Sequence, residues 1–203
     1  MNNINDNYKN VIELFKSNLK QSIEVKLKIT NDLNFQNELV NVCTTIIQCL
    51  KNDGTIYIAG NGGSAADAQH LATEFISKLS RDREPLAAEA LTTDSSIITA
   101  IGNDYGFNKI FSRQLEAKIT NNDVFIGIST SGNSENIINA LKVCQDLAVP
   151  SILLGGNKGG KALKYAKMSL VIPSEITSII QECHISTYHT ICEHVENEIC
   201  FSD

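Results

Sequence analysis

Hydrophobic positions along the chain first follow a helical period and then alternate between strand-like and helical patterns. Residues from about 6 to 29 and from about 35 to 50 carry apolar side chains three or four positions apart, which predicts two amphipathic helices. Short apolar runs predict strands at about 55–59, 86–91, 123–129, 150–154 and 169–173. Helical patterns lie between and after them, at about 64–79, 94–101, 106–118, 134–147, 160–166 and 176–200.

This alternation predicts an α/β fold with a parallel sheet of about five strands flanked by helices. Uniformly apolar strands such as Ser151–Leu154 are typical of a sheet that is covered on both faces. No repeat, Pro-rich linker or low-complexity tract interrupts the pattern, so we expect residues 1–203 to form a single domain. The two leading helices could cover the sheet or bury their apolar stripes in a partner subunit.

Composition narrows the function classes. The net charge of −6 offers no basic surface for nucleic acid. The six cysteines show no CxxC spacing and fall in apolar patterns, so we expect free thiols in a reducing cytoplasm. The first ten residues are too polar for a signal peptide, and no apolar run approaches the roughly 20 residues that a membrane span needs. We therefore expect a cytoplasmic protein without membrane contact.

A hydroxyl-rich segment, Ser129–Ser134, joins a predicted strand to a predicted helix, and we call it the hydroxyl loop. Backbone N–H groups and the helix dipole at such a junction favour a bound anion. A second junction, Gly60–Ser64, follows the strand at 55–59 and is called the glycine loop. An ordinary polar turn is the alternative for either loop alone. Two such loops on one sheet instead indicate a phosphorylated small molecule at the carboxyl ends of the strands.

The glycine loop also fits the GxGxxA pattern of dinucleotide-binding folds. That pattern requires an acidic residue at the end of the next strand, about 20 residues further on. Here the nearest candidate, Asp94, lies roughly thirty residues away. The spacing therefore disfavours a dinucleotide site.

Two predicted helices carry candidates for acid–base chemistry. His70 and Glu74 are four residues apart, so they share one face of a helix that begins beside the glycine loop. The last helix contains His184, His189 and His194 among apolar neighbours. A solvated ion pair and hydrogen-bonded interface histidines are the structural alternatives. The nearby phosphate-type loop favours a chemical role for His70 and Glu74.

Four motifs occur in order along the chain: GNGGSAADAQH followed by Glu74, TTDSSIITAIGNDYGF, DVFIGISTSGNSENI, and IQECHISTYH. Together they resemble the sugar-isomerase (SIS) family and, within it, the phosphoheptose isomerases. The resemblance covers nearly the whole chain. It implies a flavodoxin-like parallel sheet and a homotetramer with active sites at subunit interfaces, with residues about 6–50 serving assembly. It also implies conversion of sedoheptulose 7-phosphate to D-glycero-D-manno-heptose 7-phosphate, the first step towards ADP- or GDP-heptose for bacterial surface polysaccharide.

The resemblance also implies individual roles. Glu74 and His189 would be the acid/base pair, which suits aldose–ketose isomerisation because a carboxylate and an imidazole can both move protons near neutral pH. A zinc ion would be held by His70, Glu74, Gln181 and His189, although Gln is an uncommon zinc ligand. The sugar phosphate would bind Ser129, Thr130, Ser131 and Ser134. The rest of the substrate site would be formed by Asn61, Gly62, Gly63, Glu74, Asn103, Asp104 and Gln181.

Two positions depart from the family pattern. Ile179 and Lys78 stand where arginine is usual, and either change removes a bidentate donor. His189 is more than a hundred residues from Glu74, on a helix with apolar neighbours, so we expect the two groups to meet only in the oligomer.

A non-catalytic relative within the fold is the alternative function. One relative binds the bacterial replication initiator and lacks both the carboxylate four residues after the first histidine and the final histidine. This chain has Glu74 and His189 at those positions, which favours the isomerase. Non-catalytic SIS sensor domains usually accompany a DNA-binding domain, for which this length leaves no room.

Overall fold

The computed structural model describes residues 2–202, with side chains from residue 8 onwards. Its helices are α1 (Asn2–Thr30), α2 (Leu33–Lys51), α3 (Gly63–Ile76), α4 (Ser95–Tyr105), α5 (Ser112–Lys118), α6 (Glu135–Asp146) and α7 (Thr177–Cys200). Its strands are β1 (Ile56–Gly60), β2 (Ala88–Ala90), β3 (Val124–Ser129), β4 (Ser151–Gly156) and β5 (Met168–Ile172). Each predicted strand is present, and the α/β fold class is confirmed.

All five strands are parallel and lie in the order β2-β1-β3-β4-β5. The order reverses at β1, because the chain moves to one side for β2 and to the other side for β3, β4 and β5. Gly60 at the end of β1 lies beside Ile128, so the glycine loop and the hydroxyl loop leave adjacent strands at the same edge. Ligands of open α/β sheets bind outside the carboxyl ends of the strands at such a switch point.

Two apolar layers cover the sheet. One lies against α2, α3 and α7 and includes the fully buried Ile46, Phe75 and Tyr188. The other lies against α5 and α6 and includes Phe111 and Leu141. Every residue of β1, β3 and β4 is buried, as expected for central strands of a parallel sheet that is covered on both faces.

Two predicted helices differ in the structure, and glycines with positive φ precede each of them. The helix predicted at 106–118 is divided into a 3-10 turn, Phe107–Lys109, and α5, after Gly106 at φ 92°. The helix predicted at 160–166 is a single 3-10 turn, Ala162–Lys164, because Gly159 and Gly160 both have positive φ. The hydrophobic period alone does not distinguish these short turns from continuous helices.

Helix α1 leaves most of its apolar side chains in solvent. Val11, Phe15, Leu19, Ile23 and Leu27 are each between 46% and 66% exposed, and their spacing puts them along one stripe of the helix. The opposite side of α1 packs against α7 through the buried Val25, beside Ile180 and Cys183. Among the described residues, no helix is long and apolar enough to cross a membrane.

Candidate active site

The glycine loop connects β1 directly to α3. Gly62 has φ 56°, a left-handed conformation that favours glycine, and no side chain caps the helix that follows. Gly60 also has no room for a side chain, since a Cβ at this position would lie 2.2 Å from the carbonyl oxygen of Ser64. The first turn of α3 is therefore free of side-chain caps and faces the switch point of the sheet.

The hydroxyl loop connects β3 to α6 and is shaped largely by close backbone contacts. At Gly132 (φ 64°) a Cβ would lie 2.0 Å from the carbonyl oxygen of Gly159, so the hydroxyl loop touches the segment after β4 without side chains between them. Ser129 donates to the Ser134 hydroxyl at 3.2 Å, and the Ser131 hydroxyl accepts from the backbone N–H of Asn133. Thr130 and Ser131 line a hollow of about 300 Å³ together with Thr177 at the start of α7.

A pair of amides fastens the two loops to each other. Asn61 and Asn136 exchange two hydrogen bonds, of 2.9 and 2.8 Å, and Asn136 is 2% exposed. The Asn136 oxygen also accepts from the backbone N–H of Ile137 at the start of α6. Sequence reasoning missed Asn136, although it lies inside the STSGNSEN motif. The pair holds the glycine loop and the hydroxyl loop at a fixed separation across β1 and β3.

The acid–base candidates meet where α3 packs on α7. His70 Nε2 lies 2.9 Å from Glu74 Oε1 and 3.4 Å from His189 Nε2. One ligand atom from each of the three residues lies within 4.8 Å of the others. We call this the triad. It forms within a single chain, so the expectation that Glu74 and His189 meet only in an oligomer is wrong. The two helices run in the same direction away from the carboxyl edge of the sheet, which brings residues 70 and 189 to the same level.

The triad has the chemistry of a metal site. Two ligands at 2.0–2.1 Å from a tetrahedral zinc ion are about 3.3 Å apart, close to the 3.4 Å between His70 Nε2 and His189 Nε2. The Glu74 side chain is only 14% exposed, while that of His70 is 43% exposed. Imidazole nitrogens with one carboxylate oxygen suit zinc. The donor set is therefore compatible with a zinc ion that solvent or a substrate reaches from the His70 side.

Gln181 lies nearer the glycine loop than the triad. A Cβ at Gly63 would be 2.2 Å from the Gln181 amide nitrogen, so the amide rests against the backbone at the start of α3. Gly63 is seven residues before His70, which is about 10 Å along a helix. This position suits the substrate-binding role expected of Gln181. Its role as a fourth metal ligand stays a prediction.

Asn103 and Asp104 lie near the end of α4 and are exposed. The Asn103 amide donates to the Asp104 carboxylate at 2.7 Å. Within residues 2–202, no hydrogen bond connects either side chain to the glycine loop, the hydroxyl loop or the triad. Their substrate-binding role stays a prediction.

A buried ion pair, missed by sequence reasoning, holds the end of α3 against α7. Arg83 donates to the backbone carbonyls of Glu74 (2.8 Å) and Phe75 (2.6 Å) and to the Glu196 carboxylate (3.0 Å). Both ionic side chains are 2% exposed. Burial raises the pKa of Glu196, but hydrogen bonds from the backbone of Arg81 and Leu79, from Ser80 and from Arg83 outweigh it and hold that pKa below its ordinary value. The pair therefore anchors the backbone of Glu74 itself.

The two positions that depart from the family pattern have different surroundings. Ile179 is 3% exposed and packs in the apolar cluster with Ile172 and Cys183. Lys78 is exposed and pairs with Asp82 at 3.2 Å, four residues along the chain. Neither side chain contacts the triad through a hydrogen bond among the described residues.

Comparison with known proteins gives consistent matches. Residues 17–156 match the SIS domain family. A phosphoheptose isomerase of Aquifex aeolicus is 46% identical over 190 residues, which cover 94% of this chain and 98% of the relative. The structure of phosphoheptose isomerase GmhA from Neisseria gonorrhoeae superposes with a TM-score of 0.86 at 42% identity, covering 92% of this chain and 99% of that one. A phosphoheptose isomerase structure from Francisella tularensis gives a TM-score of 0.87 at 33% identity, covering 92% and 98%.

Proposed function

The chain belongs to the SIS domain family and, within it, to the phosphoheptose isomerases, and on this basis we propose that it interconverts sedoheptulose 7-phosphate and D-glycero-D-manno-heptose 7-phosphate. The observation that carries the proposal is the triad of His70, Glu74 and His189, formed on helices that begin at the same edge of the sheet as the hydroxyl loop. This isomerisation would be the first step towards ADP- or GDP-heptose for bacterial surface polysaccharide.

The proposed reaction moves protons between neighbouring atoms of the sugar. A base removes the proton from the carbon beside the carbonyl, and an acid shifts protons between the two oxygens of a cis-enediol. Glu74 serves as one member of this pair, since its carboxylate is largely shielded and its backbone is held by Arg83. His189 serves as the other, and an imidazole can donate and accept in turn. His70 lies between them, within 3.4 Å of both.

The substrate would lie along the carboxyl edge of the sheet. Hydroxyls of Ser129, Thr130, Ser131 and Ser134 bind its phosphate together with backbone N–H groups of the hydroxyl loop. The sugar hydroxyls contact Asn61, Gly62, Gly63 and Gln181, whose amide already rests against Gly63. Asn103 and Asp104 complete the site. The phosphate thereby fixes the sugar chain so that its carbonyl end reaches Glu74 and His189.

We also propose a zinc ion held by His70, Glu74 and His189, with Gln181 as the fourth ligand. The fit of the donor set and its spacing to tetrahedral zinc support this assignment. When bound, zinc would polarise the carbonyl of the sugar and stabilise the negative charge that develops there. Glu74 would then have two duties, as a ligand and as a base, and its carboxylate has two oxygens to divide between them.

The assembly we propose is a homotetramer in which residues 1–203 form one domain and α1 and α2 serve as assembly elements. The apolar stripe of α1 supports it, because Phe15, Leu19, Ile23 and Leu27 are exposed in the single chain and a soluble protein rarely leaves such a stripe in water. The triad itself is complete in one chain. A neighbouring subunit would therefore complete the walls around the substrate. Free thiols at all six cysteines suit the cytoplasm as the compartment.

A non-catalytic protein that binds the replication initiator is the second candidate. The relative that has this function lacks both the carboxylate and the final histidine. In this chain both groups are present, and they lie 2.9 and 3.4 Å from His70. The presence of both groups favours the enzyme.

Purified protein supplied with sedoheptulose 7-phosphate tests the proposal, with the product identified by NMR. We expect turnover of the phosphorylated sugar and none of free sedoheptulose. The Glu74→Gln variant is the matched control for contaminating isomerase. A wild-type rate equal to that of this variant would overturn the proposed activity.

A further inference from the structure

The amide pair of Asn61 and Asn136 crosses the carboxyl edge of the sheet at the switch point. Asn61 follows β1 in the glycine loop, and Asn136 lies in the first turn of α6, directly after the hydroxyl loop. The glycine loop leads into α3 on one face of the sheet, whereas α6 packs on the other face. Among residues 8–202, no other side-chain hydrogen bond connects the glycine loop with the hydroxyl loop or with α6.

A third hydrogen bond fixes the orientation of both amides. The backbone N–H of Ile137 donates to the Asn136 side-chain oxygen at 3.0 Å, so the other end of that amide is its NH₂ group. The Asn136 oxygen also accepts from the Asn61 NH₂ group at 2.9 Å, and the Asn136 NH₂ group donates to the Asn61 oxygen at 2.8 Å. Both ends of the Asn61 amide are therefore turned towards Asn136.

Asn136 is too deeply buried to contact a bound sugar, since it is 2% exposed. Asn61 is half-buried, and the exposed Gly62 and Gly63 follow it. The backbone of the glycine loop, rather than the Asn61 amide, is therefore the surface that a sugar meets. Any effect of Asn136 on substrate must act through the position of that backbone relative to the hydroxyl loop.

We propose that Asn136 is a positioning residue that acts through Asn61 to set the distance between the glycine loop and the hydroxyl loop, so that one sugar phosphate contacts both. The inference rests on the proposed function, because it takes the phosphate to lie at the hydroxyl loop and the sugar hydroxyls at the glycine loop. A ligand that spans two loops already held in place binds without the cost of ordering them. The Asn61 side chain then serves the substrate only by way of Asn136.

Binding is measured by isothermal titration calorimetry in the Glu74→Gln background, which should bind the sugar phosphate without converting it. Sedoheptulose 7-phosphate is the ligand that spans both loops, and inorganic phosphate is the probe that needs only the hydroxyl loop. Asn136→Ala removes both hydrogen bonds of the pair, so sedoheptulose 7-phosphate should bind roughly tenfold more weakly. The affinity for inorganic phosphate should change less than about twofold, because the backbone contacts of the hydroxyl loop remain. Equal weakening of both ligands would show that Asn136 only supports the hydroxyl loop, and would overturn the inference.

Asn61→Ala is the second variant, because it removes the link between the loops and keeps the hydrogen bond from Ile137 to Asn136. Its affinity for sedoheptulose 7-phosphate should match that of Asn136→Ala within about threefold, and the double variant should lose less than about twofold more, since the two residues act as one unit. A direct contact of the Asn61 amide with the sugar would make Asn61→Ala much the weaker binder, which would overturn the inference. If Asn136→Ala lacks the wild-type circular dichroism spectrum, the two ligands are compared in Asn61→Ala.

Asn139→Ala is the matched control. Asn139 lies on α6 three residues after Asn136, and its amide donates to the carbonyl oxygen of Asn108, which belongs to neither loop. The affinities for both ligands should stay at the level of the Glu74→Gln parent. A loss as large as that of Asn136→Ala would mean that any altered amide on this helix weakens the site, and would overturn the inference.

Turnover of chains that retain Glu74 keeps the two proposals apart. A wild-type chain that isomerises the sugar, together with unchanged sugar-phosphate affinity in Asn136→Ala, would overturn the positioning role alone. A wild-type chain without turnover, together with the expected pattern of affinities, would overturn the isomerase alone. A chain that binds neither ligand at millimolar concentration would overturn both.

Discussion

The triad and the hydroxyl loop share one edge of the sheet but are built in different ways. The triad consists of side chains from two packed helices, and buried groups fix it from behind, among them Tyr188 and the Arg83–Glu196 pair. The hydroxyl loop owes its shape to backbone contacts such as Gly132 against Gly159, and its Thr130 and Ser131 open onto a hollow. One substitution should therefore disable the triad, whereas the loop should tolerate the loss of single hydroxyls.

The largest effect is expected at the triad. Glu74→Gln is isosteric but cannot accept the carbon-bound proton, so kcat should fall roughly 10³- to 10⁴-fold with little change in KM. His189→Asn should cause a similar loss. Because the two groups act as a unit, combining them should add less than tenfold. Steady-state kinetics of the three variants measure this.

The wild-type circular dichroism spectrum and oligomer size must persist in these variants, since no apolar contact is removed. Multiplied losses in the double variant would show that Glu74 and His189 act independently. Activity of Glu74→Gln within a few-fold of wild type would remove Glu74 from the mechanism.

Sequence alone predicted the features of the site that depend only on residues close together in the chain. The four-residue spacing of His70 and Glu74 and the strand–loop–helix order of the two loops are visible in any single stretch of chain. Tyr188 was missed, because its contact with His70 depends on how α7 lies against α3, which no local pattern encodes. The same holds for Arg83, which falls in a polar run typical of solvent-exposed loops yet is buried.

The second effect concerns the anchor below the triad. Arg83→Met leaves the Glu196 carboxylate buried without its guanidinium, so the free energy of unfolding should fall by about 3 kcal/mol. This is the low end for a broken buried pair, since backbone N–H groups of Leu79 and Arg81 still bind Glu196. Urea unfolding at one fixed protein concentration measures it, because assembly contributes to stability.

Lys78→Met is the matched control for that anchor. Lys78 pairs with Asp82 in solvent, where an ion pair contributes less than about 1 kcal/mol. If Arg83→Met lowered the free energy of unfolding no more than Lys78→Met, the Arg83–Glu196 pair would not stabilise the fold. A fall in kcat beyond the loss of folded protein is also expected, because Arg83 holds the Glu74 carbonyl.

A third prediction concerns His184, which lies on α7 with His189 of the triad and contacts the strand beside the hydroxyl loop. Its Nε2 donates to the carbonyl oxygen of Gly155, the residue paired with Ser129 at the end of β3. Burial lowers the pKa of His184 to about 4. The unfolded chain has a histidine pKa near 6.5, so it takes up the proton first as pH falls. The free energy of unfolding should therefore drop by about 2 kcal/mol between about pH 6.5 and 4.5.

His184→Gln removes this titration and keeps an amide donor for Gly155. Chemical unfolding in the presence of EDTA, at several pH values, should show a shallower slope in that variant than in wild type. His194→Gln, at an exposed position of the same helix, should leave the slope unchanged. Equal slopes for His184→Gln and wild type would mean that His184 does not contribute this pH dependence.

The smallest effect is expected at the hydroxyl loop. Replacing Ser129, Thr130 and Ser131 together with alanine removes three donors to the phosphate, yet the backbone N–H groups and the fold of the loop remain. KM for sedoheptulose 7-phosphate should rise roughly ten- to thirtyfold, about 1.4–2 kcal/mol, while kcat stays near wild type. The matched control replaces Ser95, Ser96 and Thr99 on the exposed face of α4 and should change neither constant. A loss in kcat as large as that of Glu74→Gln would show that the hydroxyls take part in the chemistry, and the contrast between a side-chain site and a backbone site would then fail.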